Sequence, residues 1–362
     1  MMFPWLAFGH MIPDLELAKL IARKGHHISY VSTPWNIDRL PELPPDLSPL
    51  ITFIKLPLPR HANLPQGAKS TTDGLQQPFA QLLRSSSPDW VFFDFAPYWV
   101  PSIAGELGIP TAFFLIFNAS FLAFLGPVPV LMGTEGYGTK PEDFTVPPSW
   151  IPFKSTLRYL PFEIARVFND GMAGDDENVA DTYRIGAAVK GCDMVLLKSC
   201  SEFEAEWFKL LEELHRKPVI PTGLLPATAD DGSDGGDGWR KIKEWLDKQG
   251  KGSVVYIAFG SEAELSQDEL TEIAMGLELS GLPFFWVLRK PSRLGNDVKQ
   301  IELPDGFEER TKGRGLVWTS WALQPKILSH DLVGGFLTHG GWGSLVEGIQ
   351  YERALILCAT KA

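Results

Sequence analysis

Short apolar runs alternate with amphipathic stretches along the 362-residue chain. Phe3 to Phe8 is an apolar run that reads as a buried strand, with Gly9-His10 as the turn behind it. From Asp14 to Lys24, Leu15, Ala18, Ile21 and Ala22 recur at helical spacing, and Gly25 suits the helix end. Ile28–Ser32, Trp90–Phe93 and Thr111–Phe117 read as further strands, and Pro101–Leu107 as a short helix. Strand, helix and strand in succession predict a parallel sheet covered by helices. A second series follows. Ser253–Phe259, Phe284–Leu288, Leu316–Thr319 and Val333–Thr338 read as strands, and Leu355–Ala359 begins another. Ser266 and Glu269 have the spacing of a capping box for a helix reaching about Ser280, and Trp342–Gln350 reads as a helix after a Gly-rich turn.

Two segments break the pattern. Residues 129–164 are rich in Pro, Gly and aromatics without clear periodicity, and read as a long irregular region near a cleft. Ala227 to Gly238, ATADDGSDGGDG, has no large apolar side chain and reads as a flexible linker. Its Asp spacing does not match an EF-hand loop. The boundary divides the chain into residues 1–226, the linker 227–238 and residues 239–362.

Composition narrows the classes of function. The formal charge of −11, with no run of Lys or Arg, disfavours a nucleic-acid binder. Cys192, Cys200 and Cys358 are the three cysteines and form no C-x-x-C pair. That disfavours a disulfide scaffold or zinc ribbon and fits a reducing, cytoplasmic setting. The N-terminal segment lacks the basic flank of a signal peptide. The apolar stretch from Thr111 to Leu125 falls short of the ~18 residues that span a bilayer, and Asn118 and Ser120 interrupt it. It reads as a buried strand running into a helix.

Three constellations carry candidate chemistry. His10 lies at the expected carboxyl end of the first strand, where α/β sheets bind ligands and an imidazole can serve as a base. The plainer alternative is a His that caps the following helix. Asp94 closes the run WVFFD at another strand exit. It either orients a neighbouring His or caps the turn before Pro97. The third is the run from Trp321 to Glu347. There Thr338-His339-Gly340-Gly341-Trp342-Gly343-Ser344 joins a strand to a helix N-terminus that can receive a phosphate. Trp321 can stack on a base and Glu347 can accept from ribose hydroxyls. A Gly-rich packing turn is the plainer reading. Neither G-x-G-x-x-G nor a P-loop is present, which disfavours a nicotinamide-dependent oxidoreductase.

The segment from Trp321 to Ala362 resembles the signature of plant UDP-sugar-dependent glycosyltransferases. It has W-A-x-Q, H-x-x-V-G-G-F-L-T-H and G-W-x-S-x-x-E. PWLAFGHMIP, STPWNIDRLP, DWVFFDFAPYW and AFGSEAELSQDEL resemble one clade of that family, rich in enzymes that add glucose, rhamnose or xylose to a flavonoid or terpenoid glycoside. The resemblance covers essentially the whole chain. It implies the α/β fold called GT-B, with two facing Rossmann-like domains: an N-terminal acceptor domain and a C-terminal UDP-sugar domain.

The resemblance also implies roles. His10 matches the catalytic base and Asp94 its partner. Trp321 matches the residue stacking on uracil, Ala322 and Gln324 residues near base and ribose, and Glu347 the ribose carboxylate. His339 and Ser344 match phosphate contacts, Trp342 and Gly343 lie beside sugar and diphosphate, and Ser261 matches a diphosphate or sugar contact. Leu323, Gly340 and Gly343 depart from the common Pro, Cys and Asn. The acidic residue and Gln that close the family signature would follow Ala362, so the C-terminal domain reads as truncated and incomplete. The implied reaction is inverting transfer from a UDP-sugar, the donor substrate, to a small glycoside acceptor. No cofactor or metal is expected, there is no D-x-D pair, and the protein is expected to be a monomer without nucleic-acid or integral membrane partners. The alternative is a truncated UDP-binding fragment with weak activity or none.

Overall fold

The computed structural model describes residues 1–58, 69–135, 137–138, 140–168, 179–227, 236–260, 265–288 and 302–358. It divides into two compact units, Met1–Leu225 and Pro226–Ala362. The first contains seven parallel strands: β1 (Met2–Phe3), β2 (Ile28–Ser32), β3 (Ile51–Lys55), β4 (Val91–Phe93), β5 (Thr111–Leu115), β6 (Met194–Leu197) and β7 (Val219–Pro221). Their spatial order is β3-β2-β1-β4-β5-β6-β7. The chain order therefore reverses between β1 and β4, which defines the topological switch point of the sheet.

Alternation along the strands explains why both faces are buried. Phe113 and Leu115 of β5 join Phe3, Phe93, Val195 and Leu197 in one core. Ala112 and Phe114 join Met2, Tyr30 and Leu196 in a second core on the opposite face. Successive side chains of a strand point to opposite faces, so a doubly covered sheet needs continuous apolar runs.

The second unit has five parallel strands: β8 (Val254–Ile257), β9 (Phe284–Val287), β10 (Gly315–Trp318), β11 (Val333–Thr338) and β12 (Ala354–Leu357). Their order is β10-β9-β8-β11-β12, with the switch point between β8 and β11. Tyr256, Phe285 and Phe336 pack on one side, and Ile257, Phe284 and Trp286 on the other. The capping box forms. Ser266 N–H donates to Glu269 Oε2 at 2.8 Å, and Glu269 N–H donates to Ser266 Oγ at 3.3 Å. Gly281, at φ +66°, ends that helix in the left-handed region.

Several expectations are corrected. The first strand stops at Phe3 because Pro4 has no N–H to offer a central ladder. The first helix then begins at Phe8 and runs to Ala22, so Gly9-His10 lies in its first turn and is not a free turn. Gly236–Gly238, expected in the linker, opens the helix Gly236–Leu246. Residues 228–235 of the linker lie outside the described residues. The region 129–164 contains short helices at Val128–Leu131, Pro141–Thr145 and Pro161–Val167, and Phe144, Ile151 and Ile164 anchor it in the main core. Helices Gln76–Ser86, Asp181–Gly191 and Ser201–His215 and strands β3, β6 and β7 were not foreseen.

His215, at the end of its helix, is buried with both ring nitrogens unpartnered among the described residues. Burial, with Lys217 nearby, lowers its pKa from 6.5 to about 4. The unfolded chain takes up this proton first. Stability is therefore full above pH 6.5 and falls as pH drops towards 4. From pH 7 to pH 5 this group is expected to remove about 2 kcal/mol. Urea unfolding at both pH values checks this, and His215→Phe should shrink the difference.

Candidate active site

His10 and Asp94 follow β1 and β4, the two strands flanking the first switch point. The short β1 and the early helix bring His10 back over the sheet. Its Nδ1 lies 2.6 Å from Asp94 Oδ2, with both residues buried. A carboxylate oxygen accepts, so Nδ1 carries the proton and Nε2 keeps its lone pair. Asp94 is itself held. Its Oδ1 accepts from Phe95 N–H at 2.6 Å and its Oδ2 from Trp5 N–H at 3.4 Å. Trp5, Phe95 and Phe117 surround the imidazole, with ring centroids 4.7, 5.6 and 5.9 Å away. This apolar wall strengthens the pair by lowering the local dielectric.

The loop carrying Asp94 is pinned from a distance. Arg184, on the helix Asp181–Gly191, donates to Ala96 O at 2.8 Å and to both Asp73 carboxylate oxygens at 2.9 and 2.5 Å. Asp14 was not foreseen. It lies one helical turn beyond His10, is buried, and has no hydrogen-bond partner for either oxygen among the described residues. Burial raises its pKa well above the usual carboxyl range, and the charge of Asp94 adds to the rise. Both effects disfavour the charged form of Asp14 behind the pair. Nothing in its local sequence signals this, because the effect comes from packing against the sheet.

The second switch point gathers the other candidates. Gln324 begins the helix Gln324–Leu328, and its Nε2 donates to Glu347 Oε2 at 2.8 Å and Ser344 Oγ at 3.3 Å. Tyr256 of β8, unforeseen, donates its hydroxyl to Gln324 Oε1 at 3.3 Å. The helix Trp342–Gln350 carries Trp342, Gly343 and Ser344 in its first turn. Gly341 caps it without a side-chain bond, and no acidic residue occupies that turn. Its N-terminus thus retains the positive dipole end that suits an anion.

His339 follows β11 and fits between two glycines. A Cβ on Gly260 would lie 3.0 Å from its Cε1, and one on Gly341 would lie 2.7 Å from its Nε2. Burial lowers its pKa, favouring the neutral ring, and its Nδ1 has no partner among the described residues. Trp321 is 61% exposed, and its carbonyl accepts from Trp318 Nε1 at 3.2 Å. Ala322 packs at the edge of the core containing Tyr256 and Phe336. Ser261 lies outside the described residues. Thus Gln324, Ser344 and Glu347 form one hydrogen-bonded group, while His10 and Asp94 form another in the first unit.

Two Rossmann-like units with polar residues at their switch points are the architecture of the GT-B class of sugar-nucleotide transferases. A solved UGT transferase from Siraitia grosvenorii in complex with UDP superposes with a TM-score of 0.79 at 25% identity, covering 100% of this chain and 81% of that one. The family described as UDP-glucoronosyl and UDP-glucosyl transferase matches residues 221–355. UDP-glycosyltransferase 91A1 of Arabidopsis thaliana is 50% identical, over 98% of this chain and 78% of that protein. Anthocyanidin-3-O-glucoside rhamnosyltransferase of Petunia hybrida is 32% identical, over 99% of this chain and 78% of that protein. The chain belongs to the plant UDP-glycosyltransferases, enzymes that transfer a sugar from a UDP-sugar. The chain spans about 78% of the length of these two relatives. Among the described residues, no helix is long and apolar enough to cross a membrane.

Gly260, at φ +87° and against His339, is a sharp test of this geometry. Gly260→Ala is expected to cost about 1–2 kcal/mol through the left-handed backbone alone, and to weaken UDP binding by displacing His339. Chemical unfolding and UDP titration measure the two effects separately.

Proposed function

We propose that the enzyme transfers a sugar, with inversion, to a hydroxyl on the sugar of a plant glycoside, with His10 as general base. The observation that carries the base assignment is the buried 2.6 Å bond between His10 Nδ1 and Asp94. It leaves Nε2 as the one ring nitrogen able to take a proton. The acceptor hydroxyl gives its proton to Nε2 as its oxygen forms a bond to the anomeric carbon. The bond from that carbon to the diphosphate oxygen breaks, and UDP departs with the electron pair. Asp94 fixes the tautomer and balances the imidazolium charge.

Donor binding is assigned to residues 239–362 and acceptor binding to residues 1–226. Trp321 stacks on uracil, Ala322 lies beside the base, and Gln324 and Glu347 take the ribose. Trp342, Gly343, Ser344 and His339 hold the diphosphate, with Ser261 as a further contact. The helix N-terminus at Trp342 meets the charge of the leaving group, so this reading needs neither metal nor cofactor. The glycoside acceptor is supported by the relative from Petunia hybrida, named for an anthocyanidin 3-O-glucoside. Monomeric action fits this scheme, because every assigned residue comes from one chain. The sparse, unpaired cysteines support a cytoplasmic location.

His10→Ala is expected to lower turnover by about 10²–10⁴-fold while UDP affinity stays within twofold. Asp94→Asn should cost no more than that. Steady-state transfer and calorimetric UDP titration check both, and near-normal transfer by His10→Ala would reject the assignment. Trp321→Ala is expected to weaken UDP binding by roughly 1–3 kcal/mol, the scale of base stacking on an aromatic ring. Unchanged affinity would put the uracil elsewhere.

A further inference from the structure

The motif STPWNIDRLP follows β2, whose neighbour in the sheet is β1. It therefore lies at the same carboxyl end of the sheet as His10. The segment is rigidly held. Thr33 caps the helix Pro34–Ile37 by accepting from Asn36 N–H at 3.3 Å. The buried Asn36 donates its side-chain amide to Leu6 O at 2.9 Å, which ties the segment to the loop that leads into the His10 helix. Asp38 pairs with Lys55 at 2.5 Å.

What this scaffold displays is unusual for a solvated surface. The Arg39 guanidinium carbon lies 3.8 Å from the ring centre of Trp35 and 4.5 Å from that of Phe8. Phe8 is two residues before His10, in the same helical turn. Trp35 is 51% exposed. Among the described residues the guanidinium has no hydrogen bond or ion pair, since Asp38 is engaged by Lys55. A guanidinium fixed against aromatic faces loses little freedom when its planar set of N–H donors finds acceptors. Neighbouring ring hydroxyls of a pyranose are such acceptors. Its C–H face suits the exposed indole of Trp35, because an aromatic face binds apolar groups without needing to lose a hydrogen bond.

We propose that Trp35 and Arg39, backed by Phe8, form the subsite for the sugar already carried by a glycoside acceptor. The proposal rests on the reading that the acceptor is a glycoside, and it names the residues that would select for one. Trp35 packs on the sugar ring and Arg39 hydrogen-bonds its hydroxyls. The anchor through Asn36 to Leu6 keeps this subsite in register with the base.

The test compares a flavonol 3-O-glucoside with the free flavonol, each titrated by calorimetry into the UDP-loaded full chain. The wild-type protein is expected to bind the glucoside more tightly. Trp35→Ala and Arg39→Gln are each expected to lower that preference about tenfold, the scale of one lost hydrogen bond or stacking contact. Trp35→Phe should restore most of it, whereas Arg39→Lys should not, because an ammonium lacks the planar fork. An unchanged UDP Kd shows that the variants are folded. A wild-type protein that binds the glucoside no better than the flavonol overturns the glycoside reading and the subsite with it. A wild-type preference that survives in both variants overturns the subsite alone. If a variant loses UDP binding, Trp35→Phe and Arg39→Lys decide the matter by the same ratio.

Discussion

The hydrogen bond between His10 Nδ1 and Asp94 Oδ2 sets the demands that the surrounding first unit meets. Burying two polar side chains among aromatic rings costs free energy unless each is bonded. Asp94 meets this with N–H groups from Trp5, Phe95 and His10. Each donor depends on a backbone placed by the sheet. Pro4 ends the central strand early, and the helix starts at Phe8 in time to bring His10 round. Asp94 leaves the adjacent strand β4 at the matching level, with Phe3 opposite Phe93. Arg184 reaches across from a helix 88 residues further on to hold Ala96. Asp14 fits the same logic, since burial and the nearby charge of Asp94 both disfavour its ionised form.

The donor site proposed for the second unit meets a different demand with the same topology. A departing diphosphate needs positive potential without a side chain that blocks its approach. Gly341 and Gly343 flank Trp342 at the helix start, and no acidic group occupies the first turn. Gly260 closes against His339 from the neighbouring strand end, so the ring is oriented by contacts on two sides. Gln324 is bonded to Tyr256, Ser344 and Glu347, which ties the short helix after Trp321 to the helix that carries the proposed anion-binding turn. Proposed base, ribose and phosphate contacts are therefore coupled through one glutamine.

Local pattern made much of this legible. Val333–Thr338 and Trp342–Gln350 have the bounds read from periodicity, because a buried strand, a Gly-rich turn and an amphipathic helix each leave a strong signal. The Ser266–Glu269 capping box is likewise local. The pairing of His10 with Asp94 was legible only as two strand exits, since strand order is a property of the whole sheet. Pro4 carried a signal that the apolar run around it obscured. Arg184 with Asp73, Asn36 with Leu6 and the isolation of Asp14 left no local trace. They join residues far apart in sequence or result from packing alone.

The central claim is that His10 and Asp94 act as one catalytic unit, with Asp94 working only through the imidazole. A double-mutant cycle on kcat/KM tests it most directly, comparing His10→Ala, Asp94→Asn and the double variant. Groups that act as a unit are strongly non-additive. The double variant is expected to be no slower than His10→Ala alone. Losses that multiply, with Asp94→Asn costing as much without the imidazole as with it, would contradict the account.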